Sequence, residues 1–353
     1  MNIEKIRQKL PEYKCDAIML TDRINRYFAT GFPSSAGTLL ISRNGAQFIT
    51  DSRYFEAAKH CIKDAETLSV TSKITYADLI KTFLEKHRVN NLGFEDEALS
   101  YAVYRDRRAK LKVKMIPAQK LVSELRMYKS SFDLGNIKTA QQIAEKSFNE
   151  ILPLIGFDIT EKQLAAELTI RMLKNGADDK AFDPVVVSGT KTSLPHGVPE
   201  DIRLSEGFLT LDFGARYNAW NSDTTRTLCI GNPNEQMMYV YDTVLKAQET
   251  AIVSVRGGVL GQDLDTMARA VIDDAGYGDY FDHGLGHGVG LEVHELPRVS
   301  QNYRDVIPSG SVITVEPGIY IPGCFGVRIE DLLYVTENGY ENLSTLTKKM
   351  III

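Results

Sequence analysis

Apolar residues at Ile137, Ala140, Ala144, Phe148, Ile151 and Ile155 are spaced by three or four, which puts them on one face of a helix. A second helix is expected to open at Thr160-Glu-Lys-Gln163, a capping-box pattern, run through Leu164, Leu168 and Met172, and stop at Asn175-Gly176. Strand-like segments follow at Pro184–Ser188, Phe208–Ala215 and Asp223–Ile230. The order then recurs. Met238–Val255 and Asp263–Ala275 read as helices, Gly276 stops the second, and Ser311–Val315 and Val327–Thr336 read as strands. Ahead of all these the pieces are shorter. Asp16–Thr21 and Gly37–Thr50 read as strands, the latter folded into a hairpin by Asn44-Gly45. Arg53–Cys61 and Tyr76–Arg88 read as helices, and Lys112–Ile116 as a last strand closed by Pro117. The period changes near Leu121–Lys129, so two domains are expected, 1–122 and 123–353.

The recurrence extends to chemical type. His196-Gly-Val is echoed by His287-Gly-Val, and Leu211-Asp-Phe-Gly by Val315-Glu-Pro-Gly. After each of these acids a turn leads to a strand with another acid, Asp223 or Glu330. Each half therefore reads as helix, helix, histidine, strand, acid, turn, strand, acid, and two similar halves are expected to face each other across one site.

Composition narrows the class. With 353 residues the chain can bury a sizeable core, and 43% apolar with 25% charged residues is ordinary for a globular protein. The net charge of −5 and the lack of a basic block argue against nucleic acid as a partner. No apolar run reaches the roughly 20 residues of a membrane helix. Met1–Leu20 has charges where a signal peptide needs an apolar run. Cys15, Cys61, Cys229 and Cys324 show no paired spacing, which argues against disulfides and thiolate zinc sites and points to the cytoplasm.

The candidate chemistry lies in the C-terminal region. His60 and His87 fall in helical segments with no acidic motif and read as solvent-facing or capping residues. His196, His283, His287 and His294 all lie later, three of them within twelve residues and interleaved with Gly284, Gly286, Gly288 and Gly290. Alternate glycines bare one side of an extended segment, so something must approach it closely. The stretch fits neither a dinucleotide fingerprint nor the helical zinc motif. Asp212 and Glu316 end apolar strands, Asp223 opens one, and Glu330 lies within Val-Arg-Ile-Glu-Asp. Singly, each acid is explained by a turn, a cap, or a salt bridge to Arg226 or Arg328. Together, four carboxylates cannot share a site and stay ionised without cations. Two divalent ions would balance the four charges, and neutral His287 would add a ligand. Oxygen-rich donors with one nitrogen suit manganese better than a soft-ligand metal, although cobalt, zinc or iron could occupy them.

At these residues the chain resembles the aminopeptidase P and prolidase branch of the pita-bread metallopeptidases. The resemblance rests on Leu-Asp-Phe-Gly-Ala at 211–215, Ser-Asp-Thr-Thr-Arg-Thr at 222–227 and His-Gly-Leu-Gly-His-Gly-Val-Gly at 283–290. Val-Glu-Pro-Gly-Ile-Tyr at 315–320 and Val-Arg-Ile-Glu-Asp at 327–331 complete it, with Thr50-Asp-Ser-Arg-Tyr54 in the first domain. It implies an α+β chain: a creatinase-like N-terminal domain, then a pita-bread domain with two pseudo-twofold halves. It implies that Asp212 chelates one metal, His287 and Glu316 the other, and that Asp223 and Glu330 bridge them around a water that attacks the scissile carbonyl. Glu316 would also move protons, His196 and His294 would flank the substrate, and His283 would line the proline pocket. Arg328 would orient a ligand at the substrate's side. The implied partners are peptides with proline second, and the implied assembly is a homodimer.

Two segments depart from the family pattern without touching a ligand. Ala219-Trp220-Asn221 stands before Ser-Asp, where Trp220 is expected to pack, and Ser130-Ser-Phe-Asp133 opens the first long helix. The compact length and Thr-Asp-Ser-Arg-Tyr favour aminopeptidase P over Xaa-Pro dipeptidase, the alternative reading. A non-catalytic peptide-binding relative and creatine hydrolysis should have lost ligands, and methionine aminopeptidases lack the extra domain.

Overall fold

The computed structural model describes residues 2–353, which form two compact units that part between Arg126 and Met127. The first unit runs α1 (Ile3–Lys9), β1 (Ala17–Leu20), α2 (Arg23–Thr30), β2 (Thr38–Ser42), β3 (Gly45–Thr50), α3 (Ser52–Cys61), β4 (Glu66–Ser69), α4 (Tyr76–Lys86), β5 (Asn91–Phe94), α5 (Tyr101–Leu111), β6 (Lys114–Pro117) and α6 (Gln119–Met127). Position 122 lies inside α6, and the units part near its far end. The strands make one sheet ordered β4-β3-β2-β1-β5-β6. β1 is buried at every position because helices cover both faces, so it reads as a continuous apolar run without alternation. Ser42 pairs with Gly45 across the expected hairpin. His87 takes the second of its expected roles, as the C-cap of α4; it is half-buried, its ring lies against Gly45, where a Cβ would come 2.8 Å from Cε1, and Nδ1 is 3.0 Å from Ser42 Oγ. His60 is exposed, as expected.

The second unit begins with α7 (Ser131–Ile151), capped by reciprocal Ser130 and Asp133 bonds, and α8 (Glu161–Lys174), capped likewise by Thr160 and Gln163. There follow β7 (Asp179–Lys180), β8 (Val185–Ser188), β9 (Gly207–Phe213), β10 (Ala215–Tyr217), β11 (Trp220–Asn221) and β12 (Thr224–Ile230). Then come α9 (Glu235–Ile252), α10 (Gly261–Asp274), β13 (Gly286–Gly288), β14 (Glu295–Val299), β15 (Val312–Val315), β16 (Gly318–Ile321), β17 (Phe325–Arg328), β18 (Asp331–Val335) and β19 (Tyr340–Asn342).

The halves repeat in topology. Strand order β12-β9-β8 in the first matches β18-β15-β13 in the second, and the central pairs β9–β12 and β15–β18 are both antiparallel. Each half buries its own apolar cluster, with Phe148, Leu164 and Phe213 in one and Val244, Leu264 and Val315 in the other. Two strands are more broken than their apolar pattern suggests. Phe208–Ala215 divides at Gly214, where a Cβ would lie 2.0 Å from Ser222 O. Val327–Thr336 divides after Arg328, and Glu330 occupies the break. The echo of His196 and His287 is one of letters only: His287 lies on β13, whereas His196 lies in the loop between β8 and β9.

Candidate metal centre

The register of the central pairs gathers the acids. Asp212 faces Thr225 across β9–β12, and Asp223 immediately precedes β12. Val315 faces Asp331 across β15–β18, so Glu316 and Glu330, one step beyond, leave that ladder side by side. His287 enters from β13, which packs close because its neighbours are glycines. A Cβ on Gly286 would meet Thr314 O at 2.1 Å, and one on Gly288 would meet Leu296 O at 2.3 Å. The bared side of the glycine stretch is thus filled by adjacent backbone at Gly286 and Gly288.

All five expected ligands line one cavity. Donor atoms of Asp223, His287 and Glu330 lie within 4.8 Å of one another. His287 Nε2 lies 3.1 Å from Glu316 Oε1 and 3.7 Å from Asp223 Oδ2. Its Nδ1 is 3.2 Å from Gly288 O, which can only accept, so the first ring proton resides on Nδ1. Nε2 faces two carboxylates, so without a cation there it carries a second proton: burial lowers the ring's pKa, but the bond to Glu316 outweighs it and raises it, whereas a cation between them would take the Nε2 lone pair instead. Burial first, then the surrounding carboxylates, push Asp223 and Glu330 well above the usual range. Asp212 is raised too, by burial, against the pull of Arg328. Burial also acts on Glu316, but its bond to His287 outweighs this and holds it at about 2.

Neighbours orient the acids. Thr225 Oγ1 donates to Glu330 Oε2 at 2.7 Å, and Thr314 Oγ1 donates to Glu316 Oε1 at 2.9 Å. Arg328, 3% exposed, donates to Asp212 Oδ2 at 2.7 Å, and also to Thr225 Oγ1, Pro195 O and the Tyr320 hydroxyl. Asp212 Oδ1 and Glu330 Oε1 are buried without a hydrogen-bond partner. Two orphaned carboxylate oxygens and an inward-facing imidazole nitrogen fit a pair of divalent cations.

The remaining histidines line the same cavity of about 1120 Å³, with Asp212, Asp223, His287, Glu316 and Glu330 in its wall. Tyr320 accepts from Arg328 at 2.7 Å, so its own proton faces His283 Nε2 at 3.1 Å. His283 Nδ1 lies 2.9 Å from Gly284 O. Both ring nitrogens are therefore engaged in the neutral Nδ1–H form, and burial lowers the ring's pKa. The His294 ring stands edge-on to His287 at 4.2 Å, and burial, then the charge of His287, holds it at about 4. His196 shares the wall with Lys162, Ile170, Lys180, Phe182, Val198 and Arg298. Tyr320 and Thr225 fall within motif segments, yet no letter pattern reveals which ligand each supports. The α8 wall is separated from the acids by tens of residues and had no sequence signal. Trp220 is 5% exposed and packs in β11.

A family model described as metallopeptidase family M24 matches residues 135–337, more than half of the chain. The chain belongs to metallopeptidase family M24. This M24 peptidase also carries a creatinase/prolidase N-terminal domain, matched over residues 2–128, so its fold is the creatinase-type domain followed by the pita-bread domain. It is 38% identical to a solved Xaa-Pro dipeptidase from Bacillus anthracis, covering 100% of this chain and 99% of that one at a TM-score of 0.96. It is 37% identical to a Xaa-Pro dipeptidase of Pyrococcus horikoshii, over 99% of this chain and 98% of that one. A solved X-Pro aminopeptidase from Thermotoga maritima is 36% identical, covering 98% of this chain and 100% of that one at a TM-score of 0.89.

Proposed function

We propose that this M24 peptidase hydrolyses Xaa-Pro dipeptides, with aminopeptidase P activity on longer peptides as the second reading. The observation that carries the choice is end-to-end similarity to proteins named Xaa-Pro dipeptidase, over at least 98% of either chain. Compact length, which favoured aminopeptidase P, therefore does not discriminate. The likeness to the Thermotoga maritima X-Pro aminopeptidase keeps the second reading open.

Asp212, Asp223, His287, Glu316 and Glu330 would hold two divalent ions, manganese by donor type, which would supply Lewis acidity and an activated water. Asp223 and Glu330, the acids that burial and the neighbouring carboxylates raise most, would give up their protons to hold the ions. Glu316 takes a proton at its carboxylate and returns it to the departing prolyl nitrogen. His196 and His294 face the carbonyl oxygen, and neutral His294 can donate one N–H to the charge developing there. His283, with both nitrogens committed, offers its ring face to the proline ring. Arg328 holds Asp212 in place. Cationic Lys162 and Arg298 line the cavity, as does Lys180, whose charge is paired with Asp183 on the same wall, and Arg298 is near enough to influence His294. A dipeptide carries its free carboxylate on the proline itself, whereas a longer peptide has a neutral amide there, so a cation at the wall favours the dipeptide.

The test compares kcat/KM for Xaa-Pro and Xaa-Pro-Pro-Yaa under manganese. The dipeptide should be preferred by at least about tenfold, the value of one well-placed charge pair. Equal or better turnover of the longer peptide would replace this reading with aminopeptidase P.

A further inference from the structure

The catalytic unit contains a buried ion pair outside the ligand set. Lys129 Nζ lies 2.7 Å from Glu295 Oε1, with the side chains 0% and 5% exposed. Among the described residues that line the cavity are Val293 and His294, but not Lys129 or Glu295. A buried ion pair adds little net stability over apolar packing of like volume, and its best-attested use is to fix one geometry.

The geometry concerned is that of the turn between β13 and β14. Glu295 is the first residue of β14 and follows His294 directly. Its carboxylate lies inside the turn. Oε2 accepts from Glu292 N at 3.4 Å, and a Cβ on Gly290 would come 2.3 Å from Oε1, so the chain closes around it. On the other side, Gly290 O accepts from Asn221 N at 2.9 Å and from Asn221 Nδ2 at 3.0 Å, two residues before Asp223. Lys129 is itself anchored, its N–H donating to Gly310 O at 2.8 Å. The turn is thus held at one end by the segment that leads into a metal ligand and at the other by a buried charge.

We propose that Lys129 and Glu295 are positioning residues whose ion pair holds the 289–294 turn so that His294 faces the substrate beside His287. The catalytic consequence rests on the peptidase reading above; the structural one does not. Glu295→Gln keeps the shape and removes one charge. The double variant Lys129→Met with Glu295→Leu removes both charges of the pair.

The metal-loaded full chain is measured for amide hydrogen exchange over 289–294, bound metal, and kcat and KM on Xaa-Pro. In both variants metal content should hold while the turn exchanges about tenfold faster or more, with β12 unchanged. kcat should fall about a hundredfold, as for a catalytic group displaced by about 1 Å. KM should stay within about threefold, which separates positioning from lost binding. Parent-like exchange in the double variant, or faster exchange with kcat within about threefold of the parent, would overturn the proposal. A parent chain inert on every Xaa-Pro peptide would refute the peptidase reading instead, and the exchange result would still decide whether the ion pair holds the turn.

Discussion

Arg328→Met removes the guanidinium that donates to Asp212 in the carboxylate cluster. Methionine fills much of the aliphatic volume but leaves Asp212 Oδ2 without the donor now at 2.7 Å, beside Oδ1, which already lacks a partner. Deleting one side of a buried ion pair costs about 3–5 kcal/mol, so the metal-free variant should melt well below the parent. Metal binding should suffer by a separate route. Groups that orient a ligand from behind are worth roughly 10–100-fold in affinity. The sign with pH follows from Asp212. Burial raises its carboxyl and Arg328 lowers it, so losing Arg328 raises it further. An ion must then displace a more tightly held proton, so the affinity deficit should widen as pH falls from 8.5 to 6.5 and narrow as pH rises. Manganese titration by calorimetry at these pH values is the assay. Arg328→Lys should recover part of the deficit, since it restores charge but not the fork that reaches Thr225, Tyr320 and Pro195. A variant whose affinity stays within threefold of the parent at pH 6.5, or whose deficit is independent of pH, refutes the assignment of Arg328 to Asp212.

Other expectations follow from the same geometry. Glu316→Gln should fold and show turnover reduced by about a thousandfold or more, because a ligand and a proton carrier are lost together; activity within threefold of the parent would rule out the proton role. His294, held at about 4, should be neutral from pH 5 upward, so His294→Gln should lower kcat without moving the acid limb of the kcat–pH profile. Arg298→Met should raise KM for Xaa-Pro by about tenfold and leave longer peptides unaffected, as kinetics on both substrates would show. Cys61 and Cys324 are exposed, whereas burial pushes Cys15 up to about 11 and raises Cys229. Thiol titration at pH 8 should therefore count two reactive thiols in the native chain and four in denaturant.

The meeting of the five candidate ligands was legible because such a site needs rare residue types at strand ends, where an unpaired acid is costly. Asp212, Asp223, His287, Glu316 and Glu330 meet where the letters placed them, since spacing within each half survives as register between β9 and β12 and between β15 and β18. What spacing could not show was where strands break. Glu330 sits in a gap between β17 and β18 that the apolar pattern runs straight through. Elements in the first unit were missed for a related reason. α5 buries only Leu111 and so carries no apolar stripe, and α2 buries Asn25 and Arg26, polar residues that interrupt one.

The functional distinction was harder to read because it does not reside in the ligands at all. A dipeptidase and an aminopeptidase need the same two ions, the same proton carrier and the same proline wall. They differ in what meets the group after proline. In the proposed reading that question falls to side chains such as Lys162 on α8, Lys180 on β7 and Arg298 on β14, brought to one cavity from three separate elements. Each is an ordinary surface cation by sequence. Only the fold turns them into a common wall, and so charge placement, more than motif content, is where substrate length should be decided. If neutralising all three left the ratio of dipeptide to longer-peptide turnover unchanged, that argument would fail, and the length limit would have to be sought in steric closure of the cleft.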